Sequence, residues 1–284
     1  MVAFTSAYAT SNAGLSEDQL YNVARSIFAT DKHHSRSDRF QPIPTIDALR
    51  ALSKEGFVPV YAAQQITRDE TRRPFAKHLV RLRHIGSDGR RLTVNGTHGE
   101  VVLKNGNDGS SSYQLLSGLF RTVCMNGLIT YDEKSDEVRV RHSGDVVSKV
   151  IEGTYRVLDE TEVKLAAPTD WSNVQLGRDE QLALASAAHV VRFADAEGNV
   201  DTPIRAEQLL TPRRFEDRNN SLWEVWNRVQ ENALRGGLTA WNRSTQRRTT
   251  TREIKGIDSD VKLNKALWVL GEHLYGAVKS QAAA

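Results

Sequence analysis

Cysteine and long hydrophobic runs are nearly absent from this sequence. Its 284 residues include one cysteine, Cys124, which excludes a disulfide scaffold and a zinc site made of several cysteines. No apolar run approaches the ~18 residues of a membrane span, and the N-terminal Met-Val-Ala-Phe-Thr-Ser lacks the basic segment that begins a signal peptide. We therefore expect a cytoplasmic, reducing environment and no membrane partner.

An excess of charge of one sign is also lacking. The chain has 38 Lys and Arg against 35 Asp and Glu, a formal net charge of +3. This balance excludes a histone-like polycation and does not by itself imply a nucleic-acid partner. Hydrophobic residues make up 39% and charged residues 26%, which is typical of a soluble chain with a core of one large domain or two smaller ones.

The sequence contains none of the common local catalytic motifs. It has no P-loop, no H-E-x-x-H, no G-x-S-x-G and no G-x-G-x-x-G. His78, His84 and His98 could converge across a sheet as metal ligands, but no carboxylate follows at ligand spacing. We therefore predict no catalytic residue, no metal and no cofactor, although an active site assembled from distant positions would leave no local motif.

The hydrophobic pattern predicts an α+β fold, in which an antiparallel β-meander packed by helices precedes a mostly helical C-terminal half. We expect a flexible arm over 1–15, an α+β core domain over 16–167 and a helical region over 168–284. The predicted strands cover 58–66, 75–85, 91–97 and 100–103. The predicted helices cover 16–29, 45–56, 144–166, 178–194, 203–210, 221–235 and 258–279.

Three further elements are predicted around and after the strands. Tyr113, Leu116 and Phe120 share one helical face, which predicts an apolar helix over 113–126 with Cys124 in its core. Asp88-Gly89 predicts a hairpin turn, and residues 128–131 and 137–141 predict a second hairpin.

Basic residues concentrate in two segments. Residues 77–104 carry a net charge of +4 and residues 211–256 carry +5, so the other 210 residues sum to −6. The second segment also contains Trp223, Trp226 and Trp241. Basic strands together with a basic, Trp-bearing segment suit a groove that follows a phosphate backbone. The alternative is that these charges form solvated faces and that the tryptophans at helical spacing belong to the core.

The Gly- and Asn-rich turn over 105–110 is a second candidate for phosphate binding. If a helix begins after it, the free N–H groups of its first turn favour an anion, with Lys104 or Arg121 nearby. The alternative is that Asp108 or Ser110 simply caps that helix.

Two runs of residues carry a family resemblance. Asn105-Gly-Asn-Asp-Gly-Ser110, followed by Arg121-Thr-Val-Cys-Met-Asn-Gly-Leu128, resembles the phage- and plasmid-borne family known as domain of unknown function nine-three-two (DUF932). Similar stretches are Pro44 to Gly56 with Phe75-Ala-Lys-His78, Trp226 to Asn232 with Arg235-Gly-Gly237, and Thr251 to Ile254 through Trp268. The resemblance implies a role in replication, recombination or defence on mobile elements. The order of elements is also distantly similar to the Rad fifty-two-like single-strand annealing fold, whose members form rings on DNA.

These observations lead to one main hypothesis and two alternatives. The main one is a non-enzymatic single-stranded DNA-binding or annealing protein of a phage or plasmid, acting as a homo-oligomer, with a ring as one form. Its predicted DNA-contacting residues are Lys77, Arg81, Arg83, Arg90, Arg91, Lys104, Asn105, Asn107, Gly109, Ser110 and Arg121, with Arg243, Arg247 and Arg248 on a mobile basic arm. The alternatives are an interaction protein that uses helix 221–235 to modulate a host factor, and a metal-dependent nuclease.

Overall fold

The structure is a computed structural model that describes residues 8–37, 40, 42, 44–86, 92–121, 127–130, 138–140 and 146–282. Its contacts divide the chain into two compact units, residues 1–165 and 166–284. The first unit contains an antiparallel sheet with helices, and the second unit is mostly helical. The predicted α+β class is therefore confirmed.

The first unit is built around an eight-stranded sheet. Its strands are β1 (Tyr8–Thr10), β2 (Phe57–Gln64), β3 (His78–His84), β4 (Thr93–Val94), β5 (Thr97–Asn105), β6 (Tyr113–Arg121), β7 (Gly127–Ile129) and β8 (Val138–Val140). Its helices are α1 (Glu17–Val23), α2 (Thr45–Lys54) and α3 (Val146–Lys164), with 3-10 turns at Arg25–Phe28 and Glu70–Phe75. The neighbouring strands run in the order β1-β2-β3-β5-β6, and all pairs are antiparallel.

One face of this sheet packs against α3. The Thr161 hydroxyl of α3 donates to Ser117 Oγ of β6 at 2.8 Å, and Gly153 lies directly over Leu115 and Val138. Because side chains alternate along a strand, the register places Arg81, Arg83 and Glu100 on the opposite face.

The helix predicted over 113–126 is wrong, because Tyr113–Arg121 forms the strand β6. Its residues are buried on both faces of the sheet as far as Phe120. A strand buried on both faces is apolar without alternation, so its pattern mimics a buried helix. Cys124 lies outside the described residues.

The hairpin predicted from 128–131 and 137–141 is also wrong. β7 and β8 both run antiparallel to β6 and pair with it in succession, β7 with Gly118–Phe120 and β8 with Tyr113–Leu115. The two segments therefore extend along the same edge of the sheet in the same direction. The Asp88-Gly89 turn lies outside the described residues.

Two predicted boundaries in the first unit also change. The strand predicted over 91–97 is interrupted by Asn95-Gly96, whose φ angles of 48° and 71° form the two-residue turn between β4 and β5. Within the predicted arm, residues 8–10 pair with β2 and Leu15 is buried. The chain from Tyr8 onward is therefore part of the packed unit.

The second unit contains three of the predicted helices as α5 (Arg178–Phe193), α6 (Leu222–Arg235) and α7 (Ile257–Ala282). The helix predicted over 203–210 is a 3-10 helix at Ala206–Leu210, and α4 (Ala167–Ser172) was not predicted. A hairpin that the sequence analysis missed, β9 (Thr239–Asn242) with β10 (Arg247–Thr250), lies between α6 and α7. No helix in the described residues is long and apolar enough to span a membrane.

Helix α6 is the central element of this unit. Every residue from Leu222 to Leu234 except Glu224 is buried. The Trp226 indole N–H donates to Leu267 O of α7 at 2.7 Å, and Trp171 stacks on Trp268 at a centroid distance of 4.8 Å. The helices of the second unit thus pack around a cluster of tryptophans.

Candidate nucleic-acid interface

Arg81 and Arg83 bind the same buried carboxylate. Arg81 Nε donates to Glu100 Oε2 at 2.6 Å, and Arg83 Nη2 donates to Glu100 Oε1 at 2.7 Å. The Glu100 side chain is 0% exposed, and the two arginine side chains are 14% and 16% exposed. The Arg81 guanidinium also lies 3.4 Å from the centroid of the Phe120 ring. This cluster therefore carries a net charge of +1, and much of its hydrogen-bonding capacity is used inside the fold.

The other predicted bases of the first unit are also set into the fold. Lys77 and Lys104 are 4% and 7% exposed, and Arg121 at the end of β6 is half-buried. Arg90 and Arg91 lie outside the described residues. Within the part of the chain that is described, the basic segment 77–104 thus offers buried or partnered cations rather than an exposed basic face.

The turn over 105–110 joins β5 directly to β6, so no helix follows it. The Ser110 N–H and Oγ–H both donate to Asp108 Oδ1, at 2.9 and 2.5 Å. Gly109 and Ser110 are exposed, whereas Asn105 and Asn107 are buried. The helix start on which the predicted anion site depended is therefore wrong, and Asp108 accepts both Ser110 donors; the DNA contacts predicted for this turn stay a prediction.

Exposed aromatic and cationic groups meet on the β9–β10 hairpin instead. Trp241 is directly opposite Arg248, and Asn242 is directly opposite Arg247. Trp241 is 57% exposed, although the other four tryptophans are at most 6% exposed. Arg248 Nη2 donates to Thr239 Oγ1 at 3.2 Å, so the guanidinium lies on the same face of the hairpin as the indole ring.

Three exposed arginines lie on the same hairpin as Trp241, Arg248 on the face of the indole ring and Arg247 on the opposite face, without a carboxylate to neutralise them. Arg243 lies in the turn of the hairpin, Arg247 and Arg248 lie on β10, and all three are exposed. No carboxylate of the described residues lies within ion-pair distance of any of them. We call Trp241, Arg243, Arg247 and Arg248 the hairpin cluster.

The hairpin is anchored at its base, so these arginines do not lie on a mobile arm. Gly237 N donates to Thr251 O at 2.8 Å, and Thr251 N donates to Leu238 O at 2.8 Å. Gly236 has φ 64°, and a Cβ at that position would lie 2.5 Å from the carbonyl carbon of Arg252. Glycine at this point lets the two ends of the hairpin come together.

The aromatic residues of helix 221–235 are not available as a partner surface. Trp223 and Trp226 are 6% and 1% exposed. They belong to the core of the second unit, which confirms the alternative that tryptophans at helical spacing are core residues.

The three histidines considered as metal ligands do not come together. His78 and His84 are at opposite ends of β3, and the register places His98 on the other face of the sheet. His98 Nδ1 lies 3.0 Å from Thr93 Oγ1. No group of three His, Cys, Asp or Glu side chains in the described residues could hold a metal ion.

Comparison with known proteins identifies the family. The chain matches the family model described as Domain of unknown function (DUF932) over residues 32–268. It belongs to this family. Two relatives from Escherichia coli K12 are the UPF0380 protein YfjQ, 45% identical over 261 residues, and the UPF0380 protein YafZ, 46% identical over 264 residues. Each alignment covers 92% of this chain and 91% of the relative.

The sequence-based assignment to DUF932 is therefore confirmed. No solved structure matches the chain. The distant likeness to Rad fifty-two-like proteins stays a prediction, and the first part of the helix on which it partly depended, Tyr113–Arg121, is the strand β6.

Two stretches that carry the DUF932 resemblance contact each other in the first unit. Asn107 N donates to Phe75 O at 2.9 Å, and Asn107 O accepts from His33 N at 3.1 Å. Asn107 Nδ2 donates to Ala29 O at 3.2 Å. One residue of the 105–110 turn thus joins three segments, so this part of the motif has a structural role.

His78 ends the DUF932-like stretch that begins at Phe75, and it is the centre of a buried polar network. Its Nδ1 lies 2.9 Å from Ser26 Oγ, and its Nε2 lies 2.9 Å from Thr45 Oγ1. Ser26 Oγ donates to Gln64 Oε1 at 3.0 Å, and Asn105 Nδ2 donates to Thr45 Oγ1 at 3.1 Å. A neutral ring protonated on Nδ1 satisfies all four contacts. Burial lowers the pKa of His78 to about 4, which keeps the ring neutral at physiological pH.

Proposed function

We propose that this DUF932 protein is a non-enzymatic single-stranded DNA-binding protein. The observation that carries the proposal is the hairpin cluster, in which an exposed tryptophan shares one hairpin with three exposed arginines that have no described ion-pair partner. Proteins that bind single strands without sequence preference combine aromatic platforms for the bases with cations for the backbone. The hairpin offers both on one exposed element.

The proposed contacts follow from the chemistry of each side chain. The Trp241 indole stacks on a base, which contributes about 1–3 kcal/mol and tolerates any base because every base has a π-face. Arg248, on the face of the indole ring, contacts a phosphate beside the stacked base, since a guanidinium binds phosphate through two parallel N–H donors. Arg247, on the opposite face, contacts the backbone where the strand passes the edge of the hairpin. Arg243 extends this positive surface around the turn.

This proposal moves the main contact away from the sheet. Arg81 and Arg83 are bound to Glu100 inside the fold, so we assign them to the stability of the sheet. Binding then depends chiefly on the hairpin, and the protein breaks no bond and requires no cofactor.

Fluorescence polarisation with a labelled single-stranded oligonucleotide tests the proposal. We expect Trp241→Ala to weaken binding about tenfold or more, because a stacking contact is lost. The matched control is Tyr21→Ala, which removes another exposed aromatic side chain and should leave affinity unchanged. Absence of binding at low salt, or equal effects of the two variants, would contradict the proposal.

The proposal extends to a cytoplasmic homo-oligomer, a ring in its closed form, that anneals complementary strands in recombination or replication of a phage or plasmid. Neutralisation of phosphates by arginines on several copies would reduce the repulsion between two strands. Mass photometry with and without single-stranded DNA should show a multimer, and annealing of complementary labelled strands should accelerate. A monomer that leaves the annealing rate unchanged would limit the function to binding, and scission of the strands with added divalent metal would favour a nuclease.

A further inference from the structure

The second unit contains a polar cavity of about 430 Å³ near the start of α6. Its lining includes the amides of Gln175, Asn219 and Asn220 and the charged side chains of Arg218 and Glu224, together with two serines. This volume is within the range of ordinary small-ligand pockets. A cavity that offers several amides, one cation and one carboxylate suits a compact ligand with both donors and acceptors.

Several of these polar groups have no partner within the described part of the chain. The side-chain amides of Gln175 and Asn219 and the guanidinium of Arg218 make no hydrogen bond or ion pair with a described residue. The wall behind them is held in place, because Arg228 Nη2 donates to Asn219 O at 3.1 Å and to Asn220 Oδ1 at 3.2 Å. The cavity thus presents open hydrogen-bonding groups on a supported backbone.

An exposed aromatic ring lies beside the cavity. Phe215 is 76% exposed, and the Arg218 guanidinium lies 5.1 Å from the centroid of its ring. Aromatic rings and guanidinium planes are the surfaces on which unstacked bases of single strands lie. The side chains beside the cavity therefore suit a flat, π-bearing ligand better than a sugar or a bare anion.

The segment that carries Phe215 connects the hairpin to the cavity along α6. Arg213 Nε donates to Asn232 Oδ1 at 2.6 Å near the hairpin, Arg214 pairs with Glu231 at 2.7 Å, and Arg228 holds Asn219 near the cavity. Since α6 has 14 residues, its start beside the cavity and its end beside the hairpin are about 21 Å apart. About six stacked nucleotides span this distance.

We infer that this cavity binds one unstacked guanine base of a single strand that also lies on the hairpin cluster, about six nucleotides away. Glu224 accepts from the N1–H and N2 amino group of guanine. Arg218 donates to its O6 and N7 atoms, which are the acceptors that arginine prefers on this base. Gln175 and Asn219 satisfy the remaining edges, and Phe215 covers one end of the base. This inference rests on the proposed function, of which it names the base-recognition site.

Titration of the full chain with single nucleotides tests the cavity independently of the hairpin. The probes are dGMP, dIMP, dAMP, dCMP, dTMP and inorganic phosphate, followed by ligand-observed saturation-transfer NMR. We expect dGMP to bind best and dIMP about tenfold more weakly, since dIMP lacks the N2 amino group. Equal binding of dGMP and dIMP, no binding of dGMP, or binding of phosphate as strong as that of dGMP would overturn the inference.

Variants separate this site from the hairpin. Arg218→Ala and Glu224→Gln should each reduce dGMP binding at least tenfold, and Glu224→Gln should abolish the difference between dGMP and dIMP. The Asn219 side chain makes no hydrogen bond with a described residue, so Asn219→Ala should fold normally and should also weaken dGMP binding. Tyr21→Ala, which removes an exposed aromatic ring outside the cavity, should leave dGMP binding unchanged. Loss of dGMP binding only in Trp241→Ala would contradict the inference, whereas dGMP binding without oligonucleotide binding would contradict the proposed function instead.

Discussion

Glu100 and Arg81 form an ion pair inside the sheet of the first unit, with Arg81 Nε 2.6 Å from Glu100 Oε2 and the carboxylate completely buried. Arg83 binds the other oxygen of the same carboxylate. A carboxylate in this position is stable because two guanidinium groups replace the water it has lost. The pair explains why a basic strand face can be part of the fold rather than a binding surface.

Loss of the Glu100 charge should destabilise the sheet strongly. In Glu100→Gln two nearly buried arginines lose their counter-ion, which costs about 3–5 kcal/mol. Glu17→Gln is the matched control, since Glu17 pairs with Arg50 where both side chains are about half exposed, and it should cost less than about 1 kcal/mol. Hydrogen exchange of the β3 and β5 amides, followed by mass spectrometry, gives the free energy of opening of the sheet in each of the two variants. Similar values for the two variants would contradict the assignment of Arg81 and Arg83 to stability.

His78 should make the first unit less stable in mild acid. Burial lowers its pKa from 6.5 to about 4, so the folded state favours the neutral ring. The stabilisation is complete above pH 6.5 and is lost as the pH falls towards 4, by up to about 3 kcal/mol. NMR titration of the His78 ring protons should give a midpoint near 4, and a midpoint near 6.5 would show that the buried network with Ser26 and Thr45 is not formed.

Gly236 should tolerate no side chain. It has φ 64°, and an added Cβ would lie 2.5 Å from the Arg252 carbonyl carbon. Gly198 is a matched control, because it also has a positive φ, 87°, but has open space around its Cβ position. Gly198→Ala should cost only the backbone strain of about 1 kcal/mol, and Gly236→Ala should cost clearly more. Thermal unfolding monitored by tryptophan fluorescence, which reports on the second unit, compares the two, and equal costs would argue against the closed base of the hairpin.

The sequence predicted the alternating strand β3 and mistook the strand β6, which does not alternate, for a helix. Leu79-Val-Arg-Leu-Arg83 alternates between apolar and basic residues, and it lies in β3, inside the strand predicted over 75–85. β6 is buried on both faces, and only its tertiary surroundings distinguish such a strand from a buried helix. The ion pair of Arg81 with Glu100 was likewise beyond a local pattern, because it depends on the pairing of β3 with β5.

The hairpin cluster could have been predicted more fully from the sequence. Thr239-Ala-Trp-Asn242 and Arg247-Arg-Thr-Thr250 are short segments with β-forming residues on either side of a four-residue polar turn, which is a hairpin signal. The sequence analysis grouped Trp223, Trp226 and Trp241 together because all three lie in the basic segment 211–256. This grouping concealed that Trp241 differs from the other two in exposure. Burial separates the three, since Trp241 alone of them is exposed.

The salt dependence of oligonucleotide binding tests the central claim most directly. For single strands the slope of log K against log salt is about −0.7 for each phosphate neutralised. Replacement of Arg243, Arg247 and Arg248 by alanine should therefore reduce the magnitude of the slope by about 2, whereas Arg178→Ala, at an exposed position on α5, should not change it. A slope that stays the same in the triple variant would contradict the account, because the hairpin arginines would then make no contact with DNA.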